Sequence, residues 1–141
     1  MEMKKLPPLQ VDVAKVKPLM FGEEYASRMI LDHAITGRDN VIQINHGTVK
    51  AGCALGGGVH EEDEIYYILS GHGTLQLDEK VVEVGPDQVI FIPAGCFHAL
   101  DNSQSSEDMC ILTFWRDWRF NEAYEARVQK WGKSFKTVDE E

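Results

Sequence analysis

The sequence predicts an all-β domain, built as a sandwich or barrel of short strands joined by turns. Runs rich in β-branched and aromatic residues recur at short intervals, at residues 64–70, 74–77, 81–84, 88–92 and 109–115. Glycine-containing or charged turns separate them, including Gly71-His72-Gly73 and Asp78-Glu79-Lys80. Regularly spaced short strands with intervening turns are typical of antiparallel sandwich and barrel architectures.

A chain of 141 residues is long enough to bury one hydrophobic core without disulfide bonds. We expect a single domain over residues 1–141, with an extended amino-terminal arm at 1–20 and the core barrel at 40–115. Prolines interrupt the arm, which shows no clean periodicity. At the start of the core, residues 41–50 form a strand candidate that we expect to be interrupted near His46-Gly47.

The strand at residues 64–70 is informative because side chains alternate between the two faces of a strand. Glu64, Tyr66 and Ile68 therefore share one face of this strand. If Glu64 points into the barrel, Tyr66 lines the same cavity.

A short helix is predicted at residues 121–131, after the last strand. Tyr124, Val128 and Trp131 follow the i, i+4, i+7 spacing and form one apolar stripe. Gly132 suits the left-handed conformation that ends many helices. We therefore expect this helix to pack on the barrel or on a neighbouring subunit.

Charge and cysteine content restrict the partners and the compartment. The chain has a net charge of −9 and no basic cluster, which argues against nucleic-acid binding. It has no apolar run long enough to span a bilayer, and the start MEMKKLPPLQ lacks a signal-peptide core, so no membrane association is expected. Three cysteines, an odd number without CxxC spacing, favour a reducing cytoplasmic location.

Two blocks of metal-ligand residues lie in the predicted core. The first places a glycine, a histidine, a glutamate and a second glycine at Gly52, His60, Glu64 and Gly71. The second places the pattern Pro-x-Gly-x-x-His-x-x-x-Asn at Pro93, Gly95, His98 and Asn102. Together the blocks resemble the paired motifs of the cupin superfamily. The resemblance implies a single-domain cupin-type β-barrel, a double-stranded β-helix or jelly roll, with the short carboxy-terminal helix added.

The resemblance implies a metal site formed by His60, Glu64 and His98. Two imidazoles and one carboxylate are the ligands of facial-triad sites, which leave coordination positions open to substrate or water. We expect one divalent ion per chain, and manganese, iron, zinc and nickel all accept these ligands. The family pattern begins with His-x-His, whereas this chain has Gly58 in place of the first histidine.

Three interpretations of Gly58 are open at this point. Its lack of a side chain could leave one more coordination position free, with the run Gly56-Gly57-Gly58 letting the backbone approach a substrate. Alternatively, the metal site has been lost and the pocket binds ligands without metal. In the third interpretation Glu62 or His46 supplies the missing ligand.

Tyr66 and Glu62 are the catalytic candidates. A tyrosine beside a metal can act as a general acid or base, although ordinary packing also explains an aromatic residue at this strand position. Glu62 is a carboxylate between two expected ligands, although a solvated loop residue is the simpler interpretation. Asn102 is expected to hold a turn in place rather than to contact substrate.

The function predicted first is a metal-dependent enzyme without redox chemistry, an isomerase, epimerase or lyase. Its substrate would be small and polar, either a sugar derivative or a hydroxy or keto acid. The cation would polarise a carbonyl or hydroxyl group while a nearby base moves a proton. The alternatives are an Fe(II)-dependent dioxygenase and a metal-poor module that binds a small molecule, because the fold alone does not select among them.

A homodimer is predicted from apolar residues at both ends of the chain, which a small barrel has difficulty covering. The alternative is that both segments fold back on their own barrel. The amino-terminal set is Leu6, Leu9, Val11, Val13 and Val16. The carboxy-terminal set is Trp115, Trp118, Phe120, Tyr124 and Trp131.

Overall fold

The computed structural model describes residues 5–116 and 122–141. Within these ranges the chain forms nine strands and two α-helices. The strands are β1 Leu19–Phe21, β2 Tyr25–Leu31, β3 Gln43–Val49, β4 Glu64–Ser70, β5 Gly73–Leu77, β6 Lys80–Val84, β7 Val89–Ile92, β8 His98–Asp101 and β9 Met109–Trp115. The helices are α1 His33–Thr36 and α2 Glu122–Trp131.

The strands form two antiparallel sheets that face each other. One sheet has the order β1-β2-β3-β9-β4-β7 and the other the order β6-β5-β8. The core lies between them, because Ile68, Met109 and Ile111 of the larger sheet join Leu75 and Leu100 of the smaller one in a single buried cluster. This arrangement confirms the all-β jelly roll, present here as two sheets rather than as one closed hydrogen-bonded barrel.

Alternation along β4 follows the pattern expected from the sequence. Tyr66 and Ile68 are buried in the core, while Ile65 faces outward and is 39% exposed. The register pairs Tyr66 with Thr113 of β9 and with Ile90 of β7. Glu64 begins the same strand, so its side chain points between the sheets, as predicted.

Strand β3 runs without a break through His46 and Gly47, so the predicted interruption was wrong. Glycine is needed here for packing rather than for a turn. A Cβ atom at Gly47 would overlap the ring of Tyr25 on the neighbouring strand β2. The glycine therefore makes room for an aromatic side chain inside the sandwich.

The end of the amino-terminal arm folds against its own chain. Val16 is buried and forms an isolated antiparallel bridge with Thr137. The backbone N–H of Lys17 donates to the carbonyl of Lys136 at 2.8 Å. Beyond this contact, β1 pairs with β2 at the edge of the larger sheet.

Helix α2 ends where the sequence predicts. Gly132 has a φ of 72°, and its N–H donates to the carbonyl of Val128 at 2.7 Å. The ring of Tyr124 packs against that of His33 in α1, with 5.3 Å between the centroids. Asn121, the expected first residue of the helix, lies outside the described residues, as do Trp118 and Phe120.

No helix among the described residues is long and apolar enough to cross a membrane.

Candidate metal centre

The three expected metal ligands meet between the two sheets. Glu64 is the first residue of β4 and His98 is the first residue of β8, in the opposite sheet. His60 precedes β4 by a short loop. One ligand atom from each of the three residues lies within 4.8 Å of the other two. The structure thus brings together residues that are up to 38 positions apart in the chain, since 98 − 60 = 38.

Both imidazoles direct Nε2 toward the same carboxylate oxygen. His60 Nε2 lies 2.8 Å from Glu64 Oε2, and His98 Nε2 lies 3.4 Å from it. The two rings stand edge to face, with 4.8 Å between their centroids. The three donor atoms therefore converge on one point rather than lying in a row.

Backbone carbonyls orient both rings. His60 Nδ1 lies 3.0 Å from the carbonyl oxygen of Glu62, and His98 Nδ1 lies 3.0 Å from that of Cys96. A carbonyl oxygen only accepts hydrogen bonds, so Nδ1 of each ring carries the proton. Metal-binding histidines commonly have their second nitrogen held in this way, which leaves Nε2 free to coordinate.

The short contact between His60 Nε2 and Glu64 Oε2 is stable only if a proton or a cation lies between the two atoms. With Nδ1 protonated, a neutral His60 presents a lone pair at Nε2 to the carboxylate oxygen. The hydrogen bond with Glu64 raises the pKa of His60 despite the opposing effect of burial. Burial by itself raises the pKa of Glu64, but hydrogen bonds and charge from both histidines outweigh it and leave the pKa lowered. Either a proton or a metal ion satisfies this arrangement, so the donor set fits a divalent cation.

A cavity of about 270 Å³ opens beside the three residues. Its volume is at the lower end for small-molecule sites. The wall is mixed, because apolar side chains alternate with hydroxyl, amide, carboxylate and guanidinium groups. The lining residues are Tyr25, Ser27, Asn45, Leu55, His60, Glu62, Glu64, Tyr66, His98, Ile111, Thr113, Trp115, Ala123 and Arg127.

The family profile of the cupin domain matches residues 45–115, which include all three residues, the whole smaller sheet and most of the larger one from β3 onward. The chain belongs to the cupin family. Among curated proteins, an uncharacterised protein of Streptomyces coelicolor is 30% identical over 53 residues. That match covers 38% of this chain and 49% of the relative, so the chain aligns with about half the length of that protein.

Solved structures share the cupin fold. A predicted oxalate decarboxylase from Thermotoga maritima has a TM-score of 0.69 at 22% identity, covering 77% of this chain and 98% of its own. The polyketide cyclase RemF from Streptomyces resistomycificus has a TM-score of 0.69 at 22% identity, and the match covers 82% of this chain and 89% of RemF. An RmlC-like cupin from Shewanella frigidimarina has a TM-score of 0.66 at 11% identity, and the match covers 84% of this chain and 98% of that protein.

Gly58, the position at which this cupin lacks a histidine, lies next to His98. The two residues form an isolated antiparallel bridge. A Cβ atom at Gly58 would meet nothing within 4 Å, so the position borders open space. Gly57 differs, because a Cβ atom there would overlap the ring of Phe97. The space left by the absent histidine is therefore open in this structure.

His46 does not fill that space. It lies on β3 next to Asn45, whose side chain borders the cavity. Because neighbouring strand residues point to opposite faces, the His46 imidazole points away from the cavity. Burial, followed by the nearby charge of Arg28, lowers the pKa of His46. The interpretation that His46 replaces the missing ligand was wrong.

Glu62 borders the cavity but approaches His60 from the other side. Its Oε2 lies 3.6 Å from His60 Nδ1, whereas the Glu64 carboxylate faces Nε2. Only 9% of the Glu62 side chain is exposed, so it is not a solvated loop carboxylate. Glu62 also does not belong to the group of converging ligand atoms among the described residues.

Tyr66 lines the cavity beside His98, with 6.1 Å between the two ring centroids in an edge-to-face arrangement. It also belongs to the buried core cluster, so it serves in packing whatever else it does. Burial raises the pKa of Tyr66 well above its usual value, and the charge of Glu64 adds to the effect. The phenol is therefore protonated at neutral pH and acts as a hydrogen-bond donor rather than a base.

Asn102, the last residue of the second motif, ties loops together as expected. Its Nδ2 donates to the carbonyls of Val49, Lys50 and Glu107, at 3.2, 3.3 and 2.8 Å. These bonds join the end of β3 to the turn before β9. Asn102 is not among the residues that line the cavity.

The sequence analysis missed a polar group on the far wall of the cavity. Arg127 of α2 is fully buried and donates through Nη2 to Ser27 Oγ and to Asn45 Oδ1, the latter at 3.0 Å. Ser27 Oγ in turn donates to Asn45 Oδ1 at 2.5 Å. A signal was present, because Arg127 lies three residues after Tyr124 and four before Trp131, on the same face of the predicted helix as the apolar stripe. A charged residue on a face expected to be buried indicates a specific role.

Proposed function

We propose that this cupin is a metal-dependent enzyme that carries out non-redox chemistry on a small polar substrate, as an isomerase, epimerase or lyase. The observation that supports the proposal best is the position of His60, Glu64 and His98 in the wall of the cavity. Three protein ligands leave coordination positions for a substrate, and Gly58 borders open space next to His98.

His60, Glu64 and His98 would hold one divalent ion through two Nε2 atoms and one carboxylate oxygen. When bound, such an ion supplies Lewis-acid polarisation of a substrate oxygen. Gly58 leaves room for that oxygen beside His98. The carbonyls of Glu62 and Cys96 keep both imidazoles in the orientation that this geometry requires.

Tyr66 and Glu62 are proposed to handle protons around the substrate. The Tyr66 hydroxyl, protonated at neutral pH, is suited to donate a hydrogen bond or a proton to an oxygen that gains negative charge. The Glu62 carboxylate, largely shielded and bordering the same cavity, is suited to accept a proton from carbon or oxygen. An acid and a base at one cavity are the groups that an isomerase, epimerase or lyase requires.

The similar structures include proteins named as a predicted oxalate decarboxylase and a polyketide cyclase. Proteins named as enzymes therefore share this fold. Their names support an enzymatic function here but do not indicate which reaction is catalysed. Two histidines and one carboxylate are also the ligands of Fe(II)-dependent oxygenases. Dioxygenase chemistry is thus the second candidate, and binding without turnover is the third.

Metal analysis followed by a substrate screen tests the proposal. Protein purified without added metal is analysed for bound elements and then reconstituted with manganese, iron, zinc or nickel. Each form is screened with sugar derivatives and with hydroxy and keto acids, with and without oxygen. Turnover that requires metal but not oxygen supports the proposal, whereas turnover that consumes oxygen favours the dioxygenase. Metal-free protein that binds these compounds without converting them would contradict both enzyme functions.

A further inference from the structure

Arg127 has more hydrogen-bond donors than its described surroundings use. A guanidinium carries five N–H groups, two of them on Nη2. Nη2 donates to Ser27 and Asn45, which accounts for those two. Nε and Nη1 are buried and have no hydrogen-bond partner among residues 5–116 and 122–141. Three donors of a fully buried side chain therefore remain for a ligand.

Among the described residues, no carboxylate forms a salt bridge with the guanidinium of Arg127. The charge of Asp32 acts on it only from farther away. Burial is the larger effect and lowers the pKa of Arg127 to about 10. The side chain still carries its charge at neutral pH. Buried arginines are normally paired, so an unpaired one beside a cavity indicates that the partner is a bound molecule.

Arg127 and the candidate metal ligands border the same cavity of about 270 Å³. A molecule bound in this cavity would therefore have both Arg127 and the candidate metal ligands in its surrounding wall. Glu62 and Glu64 lie at the end with the histidines, whereas Arg127, Ser27 and Asn45 form a charged and polar wall contributed by α2, β2 and β3. A negatively charged group would therefore lie against Arg127 and the rest of the molecule toward His60 and His98.

A carboxylate suits this wall of the cavity, because the planar donors of a guanidinium match the oxygens of a carboxylate.

We propose that Arg127 binds the carboxylate of the substrate, and that the substrate is a small carboxylic acid with an oxygen on the adjacent carbon. The first half concerns Arg127 alone, while the second half rests on the proposed function, because the adjacent oxygen would face the metal. This assignment selects the hydroxy and keto acids over the sugar derivatives. Helix α2 therefore contributes a substrate-binding residue to the cavity.

Isothermal titration calorimetry with acids and their neutral amides tests the proposal. Lactate, pyruvate and 2-hydroxybutyrate are compared with lactamide, pyruvamide and 2-hydroxybutyramide, which have the same shape without the charge. Wild-type protein should bind at least one acid about tenfold more tightly than its amide. Arg127→Met and Arg127→Gln should lose this preference, while amide affinity and metal content stay unchanged. Equal affinities for every pair in the wild type, or a preference that survives in Arg127→Met, would overturn the proposal.

Two further arms separate this proposal from the enzyme proposal. The titrations are repeated with chelator-treated protein and with His60→Ala, in which the acid preference should persist at lower affinity. If the wild-type protein binds no metal after reconstitution but keeps the Arg127-dependent preference, the enzyme proposal alone is contradicted. Inorganic phosphate is titrated as a competing anion, and tighter binding of phosphate than of any acid would refute the carboxylate assignment. If Arg127→Met unfolds, Arg127→Gln and the acid-to-amide ratio of chelator-treated wild type decide, since no metal then favours the acid, and equal affinities there would overturn the proposal.

Discussion

Gly58 and His98 are directly opposed in an antiparallel bridge and exchange both backbone hydrogen bonds. Gly58 N–H donates to the His98 carbonyl at 3.2 Å, and His98 N–H donates to the Gly58 carbonyl at 3.1 Å. Directly opposed residues place their side chains on the same face of an antiparallel pair. A side chain at position 58 would therefore lie beside the His98 imidazole, where the family pattern has its first histidine.

Gly58→His should place a fourth ligand at the metal centre. The new Cβ atom meets open space and the backbone at position 58 does not have a positive φ, so the variant should fold. We expect metal affinity to rise by about tenfold or more, equivalent to about 1.4 kcal/mol. Turnover should fall, because the imidazole occupies the position proposed for substrate. Competition with a metal-chelating indicator measures the affinity.

Gly58→Ala is the matched control, since it adds a Cβ atom without a ligand and should leave metal affinity at the wild-type value. If Gly58→His changes neither affinity nor turnover, position 58 does not face the metal, and the alignment of the first block with the family motif is wrong.

The ligand assignment itself predicts one divalent ion per chain, lost on removing either imidazole. His60→Ala and His98→Ala each leave two ligands, and both should reduce bound metal to background, because a carboxylate and a single imidazole hold such ions weakly. Elemental analysis after gel filtration measures the metal-to-protein ratio.

His72→Ala removes an exposed histidine on the turn between β4 and β5 and serves as the control, with metal content expected to match the wild type. Full metal content in the double variant His60→Ala, His98→Ala would show that the ion binds elsewhere.

The fold was predictable because local and long-range signals agree in the core. The alternation in β4 and the Gly132 helix stop are each determined by a few neighbouring residues, and both were confirmed. The error at His46-Gly47 has a non-local cause. Glycine in a strand usually indicates a break, but here it accommodates the ring of Tyr25 from another strand, which the sequence of β3 alone does not reveal.

The part of the candidate site whose residues belong to the two sequence motifs was predictable from their spacing. His60, Glu64 and His98 were found in this way, and the structure brings them together. The opposite wall was not found, because Arg127 approaches from a helix 29 positions after His98, since 127 − 98 = 29. Its two described partners lie on β2 and β3, so only the tertiary fold brings this group to the cavity.

Tyr25 makes stability depend on pH in the alkaline range. Burial raises the pKa of Tyr25 to about 12 from 10.0. Below pH 10 the phenol is protonated in both states, so its stabilising effect is fully present. As pH rises from 10 through 12 the unfolded state loses its proton first, and the effect disappears. Since Tyr25 is only partly buried, we expect a loss of about 2 kcal/mol, less than the full linkage value.

Urea unfolding of wild type and Tyr25→Phe between pH 8 and 12 measures this dependence. Tyr25→Phe should be less stable by about 1 kcal/mol at pH 8, because Asn45 Nδ2 loses its partner at the hydroxyl. As pH rises toward 12 the gap should close and then reverse, leaving Tyr25→Phe more stable by about 1 kcal/mol. An absorbance titration of the same pair that assigns Tyr25 a pKa near 10 would contradict the prediction.

The homodimer remains a prediction. The structure indicates a different apolar surface for the interface from the terminal segments considered in the sequence. The amino-terminal arm is partly covered by its own chain through Val16. In contrast, Val89 and Phe91 of β7 are 62% and 59% exposed on the outer face of the larger sheet. Phe91 pairs with Ile65 of β4, which is 39% exposed, so the apolar surface is continuous across two strands. Strand β7 also ends the described sheet, which leaves an edge for pairing.

Light scattering coupled to gel filtration at micromolar concentration should give a mass about twice 15.9 kDa. Phe91→Asp should shift the protein toward one chain, because a charge in the centre of an apolar contact is costly to bury. Val81→Asp alters a residue that is 63% exposed on the smaller sheet and should leave the dimer intact. A wild-type mass of one chain that does not change with concentration would refute the dimer. A dimer unaffected by Phe91→Asp would instead assign the interface to the terminal segments.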